Sequence, residues 1–168
     1  MALSLQQLQL GHAEQFLEAV ARSAALHDPW VSPPSNMGAF CDFVERRGGN
    51  RDISYVAIQD NLALVGCVNL NEIVRGAFQS AFLGYFGFVP YAGQGLMKQA
   101  MRLVLTEAFT ALGLHRLEAN VQPNNDRSKG LLKALGFRHE GYSLRYLQIG
   151  GQWRDHERYA ITAEEWNA

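Results

Sequence analysis

The sequence is poor in charge, poor in cysteine and without any long apolar run. Charged residues make up 18% of its 168 residues, and fifteen Lys and Arg stand against sixteen Asp and Glu. That balance supplies no basic excess to hold a phosphate backbone, so nucleic-acid binding is not expected. No apolar stretch approaches the ~20 residues that cross a bilayer, and Met1–Phe16 has neither a basic start nor a long apolar core, so neither a membrane span nor a signal peptide is expected. The two cysteines, Cys41 and Cys67, show no CxxC spacing. Both read as packing residues of a reduced, cytoplasmic protein. The five histidines have no metal-ligand spacing, so no metal is expected.

What is present is enough for a core. Apolar residues are 48% of the chain, and a domain of this length buries roughly 70% of the surface of its unfolded chain. A single domain over residues 1–168 is the expectation.

Periodicity divides the chain. Leu3, Leu5, Leu8 and Leu10 give a weak strand signal, and His12 to Leu26 carries a helical stripe through Phe16, Leu17 and Val20. His27 to Ser35 holds three prolines and must be a loop, with Trp30 as a rigid aromatic rim. A short helix over Met37 to Arg47 stops at Gly48-Gly49. Ser54 to Gln59, Leu62 to Leu70 and Ser80 to Val89 read as strands. The clearest helix runs from about Gly95 to Leu112, with Met97, Met101, Val104, Ala108 and Leu112 on one stripe. A strand over His115 to Val121, a helix over Asn125 to Leu135, and two strands around Tyr142 to Ile149 and Trp153 to Ile161 complete the chain. The order β-α-α-β-β-β-α-β-α-β-β predicts a mixed α/β fold.

Two segments carry chemistry. Val89-Pro90-Tyr91-Ala92-Gly93-Gln94-Gly95-Leu96-Met97-Lys98 passes from a strand into the long helix. Its glycines allow close backbone approach, and the helix N-terminus offers unpaired N–H groups and partial positive charge. That combination suits a diphosphate, although a glycine-rich packing turn would look alike. It is neither a dinucleotide fingerprint nor a P-loop, because position 98 is Lys and the GK[ST] ending is missing. The second segment is Asn125-Asp126-Arg127-Ser128, followed by Leu135-Gly136-Phe137. Asn125 and Ser128 either cap a helix or contact a ligand.

These segments, with Glu140-Gly141-Tyr142 and Gly151-Gln152-Trp153-Arg154-Asp155-His156, make the chain resemble the GNAT superfamily of acyl-CoA-dependent N-acetyltransferases, nearest the RimJ/RimL type that acts on ribosomal-protein N-termini. The resemblance covers about residues 80 to 161 well and the first half loosely. Pro90 and Ala92 depart from the family's [RQ]-x-x-G-x-[GA] loop, with Lys98 or Arg102 in reach to supply the missing charge.

The resemblance implies a mostly antiparallel central sheet of six or seven strands with helices on both faces, and acetyl-CoA as co-substrate. It places the pantetheine arm along Phe88 and Val89 and the pyrophosphate on Tyr91, Ala92, Gly93, Gln94, Gly95, Leu96, Met97 and Lys98, with Asn125 and Ser128 toward the sulfur. The reaction, attack of an amine on a thioester, needs a proton acceptor and a donor to the departing thiolate. Strand alternation turns Glu118 and Asn120 away from Leu117 and Ala119. Glu118 is the candidate base, or else a surface residue paired with Arg116 or Arg145. Ser128 is the first candidate acid, with Tyr142 and Tyr146 behind it. Trp30, Asn120, Trp153 and Asp155 are expected to contact the acceptor. That acceptor is expected to be a protein N-terminus, ribosomal or other, with a small-molecule amine or a non-catalytic CoA-binding role as alternatives. The chain is expected to be a monomer or homodimer.

Overall fold

The computed structural model describes residues 2–167. Seven strands form one sheet in the order β1-β2-β3-β4-β5-β7-β6. They are β1 (Leu3–Gln7), β2 (Ile53–Gln59), β3 (Ala63–Val74), β4 (Ser80–Gly87), β5 (Arg116–Val121), β6 (Arg138–Ile149) and β7 (Gln152–Thr162). Every pairing is antiparallel except β4 with β5. The helices are α1 (Ala13–Arg22), the single turn α2 (Ala24–His27), α3 (Met37–Arg46), α4 (Leu96–Phe109) and α5 (Asp126–Ala134).

Apolar periodicity decides which helix covers which face. Ala100, Met101, Val104, Leu105 and Ala108 on α4 are buried against Val65, Leu70, Leu83, Leu117 and Ala119, and Leu132 of α5 joins them. On the other face Phe16 of α1 lies at the centre of a ring cluster. Phe40 is 5.1 Å from it, Phe88 5.7 Å and Phe86 6.1 Å. β3 is an interior strand, and its Leu64 to Leu70 are buried without a break because both faces are covered.

The expected helix over His12 to Leu26 is interrupted at Ser23. Ser23 is buried and its Oγ accepts the Val89 N–H at 3.0 Å, an alternative to helix continuation that starts α2 as a separate turn. β3 runs to Val74, past the expected end at Leu70. The polar Asn69 at that end is buried, and its Oδ1 accepts a hydrogen bond from Ser54 Oγ at 2.5 Å. Cys67 is fully buried, whereas Cys41 is only half-buried. Burial pushes the Cys67 thiol up to about 12, so it packs and does not react. No helix among the described residues is long and apolar enough to cross a membrane.

The parallel pair β4 and β5 creates the site. Only Ser80, Ala81 and Phe82 pair, with Arg116, Leu117 and Glu118, and the strands then part. Phe88 N–H donates to the Val65 carbonyl at 2.9 Å, on the β3 side. Alternation therefore turns the backbone groups of Tyr85 and Gly87 toward the opening left by β5. Close approach of α4 to this region depends on Gly66, where a Cβ would fall on the Met97 sulfur and come within 2.8 Å of the Phe86 carbonyl.

Candidate active site

A cavity of about 360 Å³ fills the opening. Tyr85, Phe86 and Gly87 of β4 form its floor, and Asn125, Arg127, Ser128 and Leu131 form the α5 side. Ala92, Gly93, Gly95, Met97 and Lys98 close the α4 end. Leu26, His27, Trp30 and Val31 roof it, and Gln122 Nε2 ties that roof to the α5 side by donating to the Pro29 carbonyl at 3.3 Å.

The α4 end suits an anion. Gly93 and Gly95 have φ of 82° and 77°, a conformation open chiefly to glycine. They turn the chain so that the first N–H groups of α4, which have no preceding turn to bond to, meet the cavity. Tyr91 and Ala92 are not donors there, because both N–H groups bond to the Phe88 carbonyl at 3.0 Å. Gln94 folds back on the Pro90 carbonyl. The positive charge that Pro90 and Ala92 do not supply comes from Lys98 and from Arg127, whose guanidinium would lie 3.8 Å from a Cβ at Gly93. Arg102 is elsewhere, 5.3 Å from the Trp166 ring centre. No carboxylate lines the cavity among the described residues.

Phe88 and Val89 do not offer the expected backbone edge. Phe88 is fully buried and its N–H is taken by Val65, while the Val89 N–H is taken by Ser23. The open edge lies earlier in the strand, at Tyr85 and the Gly87 N–H, while the Gly87 carbonyl is taken by His27 Nε2 at 2.8 Å.

Asn125 caps α5, its Oδ1 accepting the Ser128 N–H at 3.3 Å. The Ser128 hydroxyl bonds across the cavity to the Tyr85 hydroxyl. Burial raises the Tyr85 pKa far above the usual phenol range, so the pair stays protonated.

Glu118 takes no part in the cavity wall. Arg116, two residues earlier on the same strand face, donates to its Oε1 at 2.7 Å and also pairs with Glu140. The expected base is thus the paired surface residue of the alternative reading. Tyr142 is also displaced from its expected role. It is half exposed on β6, and its hydroxyl donates to Asp155 at 3.0 Å. Asp155 also accepts the Arg145 N–H at 2.8 Å, so it braces the β6–β7 hairpin. Trp153 is 62% exposed on that hairpin, and Tyr146 lies against His156; neither lines the cavity. Trp30 is in the roof. Asn120 is near the parting of the strands, with a buried, unpartnered Oδ1.

Several wall residues escape sequence reasoning, Tyr85, His27, Gly87 and Arg127 among them. Tyr85 sits in an apolar strand with no motif around it. His27 was expected to open the proline loop but ends α2, and only the fold reveals that its ring roofs the cavity.

Residues 2–138 match the acetyltransferase (GNAT) domain profile, and the chain belongs to that family. It is 40% identical over 107 residues to the ribosomal protein uS5-alanine N-acetyltransferase of Escherichia coli, covering 64% of this chain and 55% of that one. It is 46% identical over 98 residues to a probable N-acetyltransferase, YjcK, of Bacillus subtilis, covering 58% and 54%. The chain thus spans about half the length of these curated relatives. Among solved structures, Mycobacterium smegmatis RimJ in complex with CoA-disulfide superposes with a TM-score of 0.87 at 31% identity, covering 97% of this chain and 83% of that one. Spermidine N-acetyltransferase of Vibrio cholerae, in complex with CoA and spermine, shares the fold at 21% identity, with a TM-score of 0.82 and coverage of 97% and 96%.

Proposed function

We propose that the chain is a single-domain, acetyl-CoA-dependent N-acetyltransferase whose acceptor is a peptide or protein N-terminal α-amine. The observation that carries the choice of acceptor is that no carboxylate lines the cavity wall among the described residues. A polyamine would bring several positive charges to that wall with no counter-charge. An α-amine has an intrinsic pKa near 7.7–8.0 and reaches the neutral, nucleophilic form with little help. The uS5-alanine N-acetyltransferase relative supports the same acceptor class.

The residues fit acetyl-CoA. The turn at Gly93 and Gly95 and the α4 N-terminus receive the pyrophosphate, with Arg127 and Lys98 beside it. The open edge at Tyr85 and Gly87 pairs with the amides of the pantetheine arm, leading the thioester toward Ser128. A backbone N–H on that edge stabilises the carbonyl oxygen as it gains charge. Ser128, bonded to Tyr85, gives a proton to the departing thiolate. Asn120 Oδ1 and Trp30 hold the acceptor. The test is thiol release from acetyl-CoA with alanine-initiated peptides, spermidine and free amino acids as acceptors. Turnover confined to peptides supports the reading; turnover confined to spermidine overturns it in favour of a small-molecule enzyme.

A further inference from the structure

The Glu140-Gly141-Tyr142 segment has no place in the cavity, yet Gly141 makes room for a charge. Arg158 of β7 stands opposite Gly141 of β6 and Asn120 of β5 in the pairing register, so all three lie on one face of the sheet. The other face takes Glu157, which pairs with Lys129 of α5, and Tyr159, which is buried in the core under α4. The Arg158 guanidinium lies over Gly141, where a Cβ would fall on Nη2 and within 3.1 Å of Cζ. Its Nε donates to Ser143 Oγ at 3.0 Å, which holds the half-buried side chain over β6. Neither Nη has a partner among the described residues, and neither is shut in by the fold.

No carboxylate balances this cation. Glu118 and Glu140 are held by Arg116 and Arg138, Glu165 by Arg138 and Glu157 by Lys129. Asp155 is engaged by Tyr142 and the Arg145 N–H. Two free Nη groups in a fixed fork match the two oxygens of a carboxylate.

The roof of the cavity lies on the same face. Phe82 pairs with Glu118, and alternation carries Phe86 and Asn120 to that side. The His27 ring packs on Phe86 and Phe88, and Gln122 at the end of β5 bonds to Pro29. The apolar cluster of this face draws on no residue of β5, β6 or β7. That half of the face is left for an acceptor that enters beside Trp30.

We propose that Arg158 binds a carboxylate on the third or fourth residue of the acceptor polypeptide and so makes the enzyme selective for acidic N-terminal segments. This rests on the peptide-acceptor reading above and adds which peptides are preferred. The position follows from spacing. The amine is attacked where β5 parts from β4, and the guanidinium lies over β6, two strand spacings or roughly 10 Å away. An extended chain covers ~3.3–3.6 Å per residue, so the third or fourth side chain reaches it.

The experiment uses alanine-initiated peptides with amidated C-termini, so that side chains supply the only carboxylates. One peptide carries Glu at the third and fourth residues, one carries Gln there, and one carries Gln there and two Glu at the ninth and tenth. With wild type, the near Glu pair should raise kcat/KM about tenfold over Gln, through KM, and the distant pair should not. The gain should shrink at high salt. Arg158→Gln should bring the Glu and Gln peptides to equal kcat/KM, with acetyl-CoA affinity unchanged, and Arg158→Lys should keep part of the gain. Gly141→Ala, which displaces the guanidinium without removing its charge, should lose it too. Equal kcat/KM for the Glu and Gln peptides in wild type, an equal gain from the distant pair, or a gain that survives Arg158→Gln overturns the proposal. Calorimetric titration of the CoA-loaded protein with the same peptides needs no turnover. If no peptide is acetylated, yet the near-Glu peptide binds about tenfold tighter and loses that advantage in Arg158→Gln, the transferase reading falls and the Arg158 site stands. Equal binding of the Glu and Gln peptides overturns the site.

Discussion

Tyr85 on β4 and Ser128 on α5 hydrogen-bond hydroxyl to hydroxyl across the opening where β4 and β5 part. Neither strand nor helix alone makes this contact. It exists because β4 leaves β5 after Phe82 and the Asn125 cap sets where α5 begins. Tyr85→Phe and Ser128→Ala should each lower kcat by about tenfold or more, within the range of general-acid assistance. Each should cost about 1 kcal/mol of stability, the net worth of one hydrogen bond. The double variant should be no slower than the worse single one, since both act through one pair. Steady-state kinetics beside thermal melts of the three variants checks this.

Gly95→Glu should abolish stabilisation by acetyl-CoA. A side chain at φ 77° is strained, and a carboxylate at the α4 N-terminus occupies the diphosphate position. Wild type should gain about 2.7 kcal/mol at a hundredfold excess over Kd. Arg127→Ala should weaken that gain without removing it. Melting curves with and without acetyl-CoA separate these outcomes.

Glu118→Gln should leave kcat/KM close to wild type. The carboxylate is engaged with Arg116 outside the cavity wall. Its removal should cost no more than about 1 kcal/mol, as for other partly exposed pairs. A rate profile over about pH 6 to 9 decides between this and a catalytic carboxylate.

Gly66→Ala should destabilise the fold by about 1–3 kcal/mol, the range for overpacked positions. The Met97 side chain can rotate away from a new Cβ, but the Phe86 carbonyl at 2.8 Å is backbone. Because Met97 lies in the first turn of α4, acetyl-CoA affinity should fall as well, read by denaturant unfolding and by titration.

Stability should decline on acidification in two stages. His12, His27 and His156 are buried, and desolvation lowers the pKa of each. Above about pH 7 both states are neutral and these groups contribute no difference. As pH falls through about 6.5, the unfolded chain takes up protons that the folded chain resists, so stability drops. Glu140, held below its usual range chiefly by its hydrogen bond to Arg116, and Asp155, held there chiefly by the Arg145 N–H, add a second loss below about pH 4.5. Melting temperature against pH should show the first decline between about pH 7 and 5, smaller in His27→Gln.

The sheet and the α4 stripe were legible because burial writes itself as periodicity. Leu117, Ala119 and Val121 alternate, and Met101, Val104 and Ala108 recur at helical spacing. The glycine turn was legible because a positive φ narrows the choice of residue. Of the proton-handling groups, Ser128 was legible from the Asn-x-x-Ser spacing, but its partner Tyr85 was not. Local alternation correctly turned Glu118 away from the α4 face and offered Arg116 as its partner, but the second bond of Arg116, to Glu140, comes from β6, which sequence spacing does not place. Tyr85 and His27 acquire their roles only from the parting of β4 and β5 and from the turn at Ser23. Both are tertiary events with no local signal.

The most direct test of the account is thiol release from acetyl-CoA by the purified protein with an alanine-initiated peptide, with the product located by mass spectrometry. The account predicts one acetyl group on the peptide's α-amine, stoichiometric with free thiol. Release of thiol only with spermidine, or acetyl-CoA binding without transfer to any amine, would contradict it.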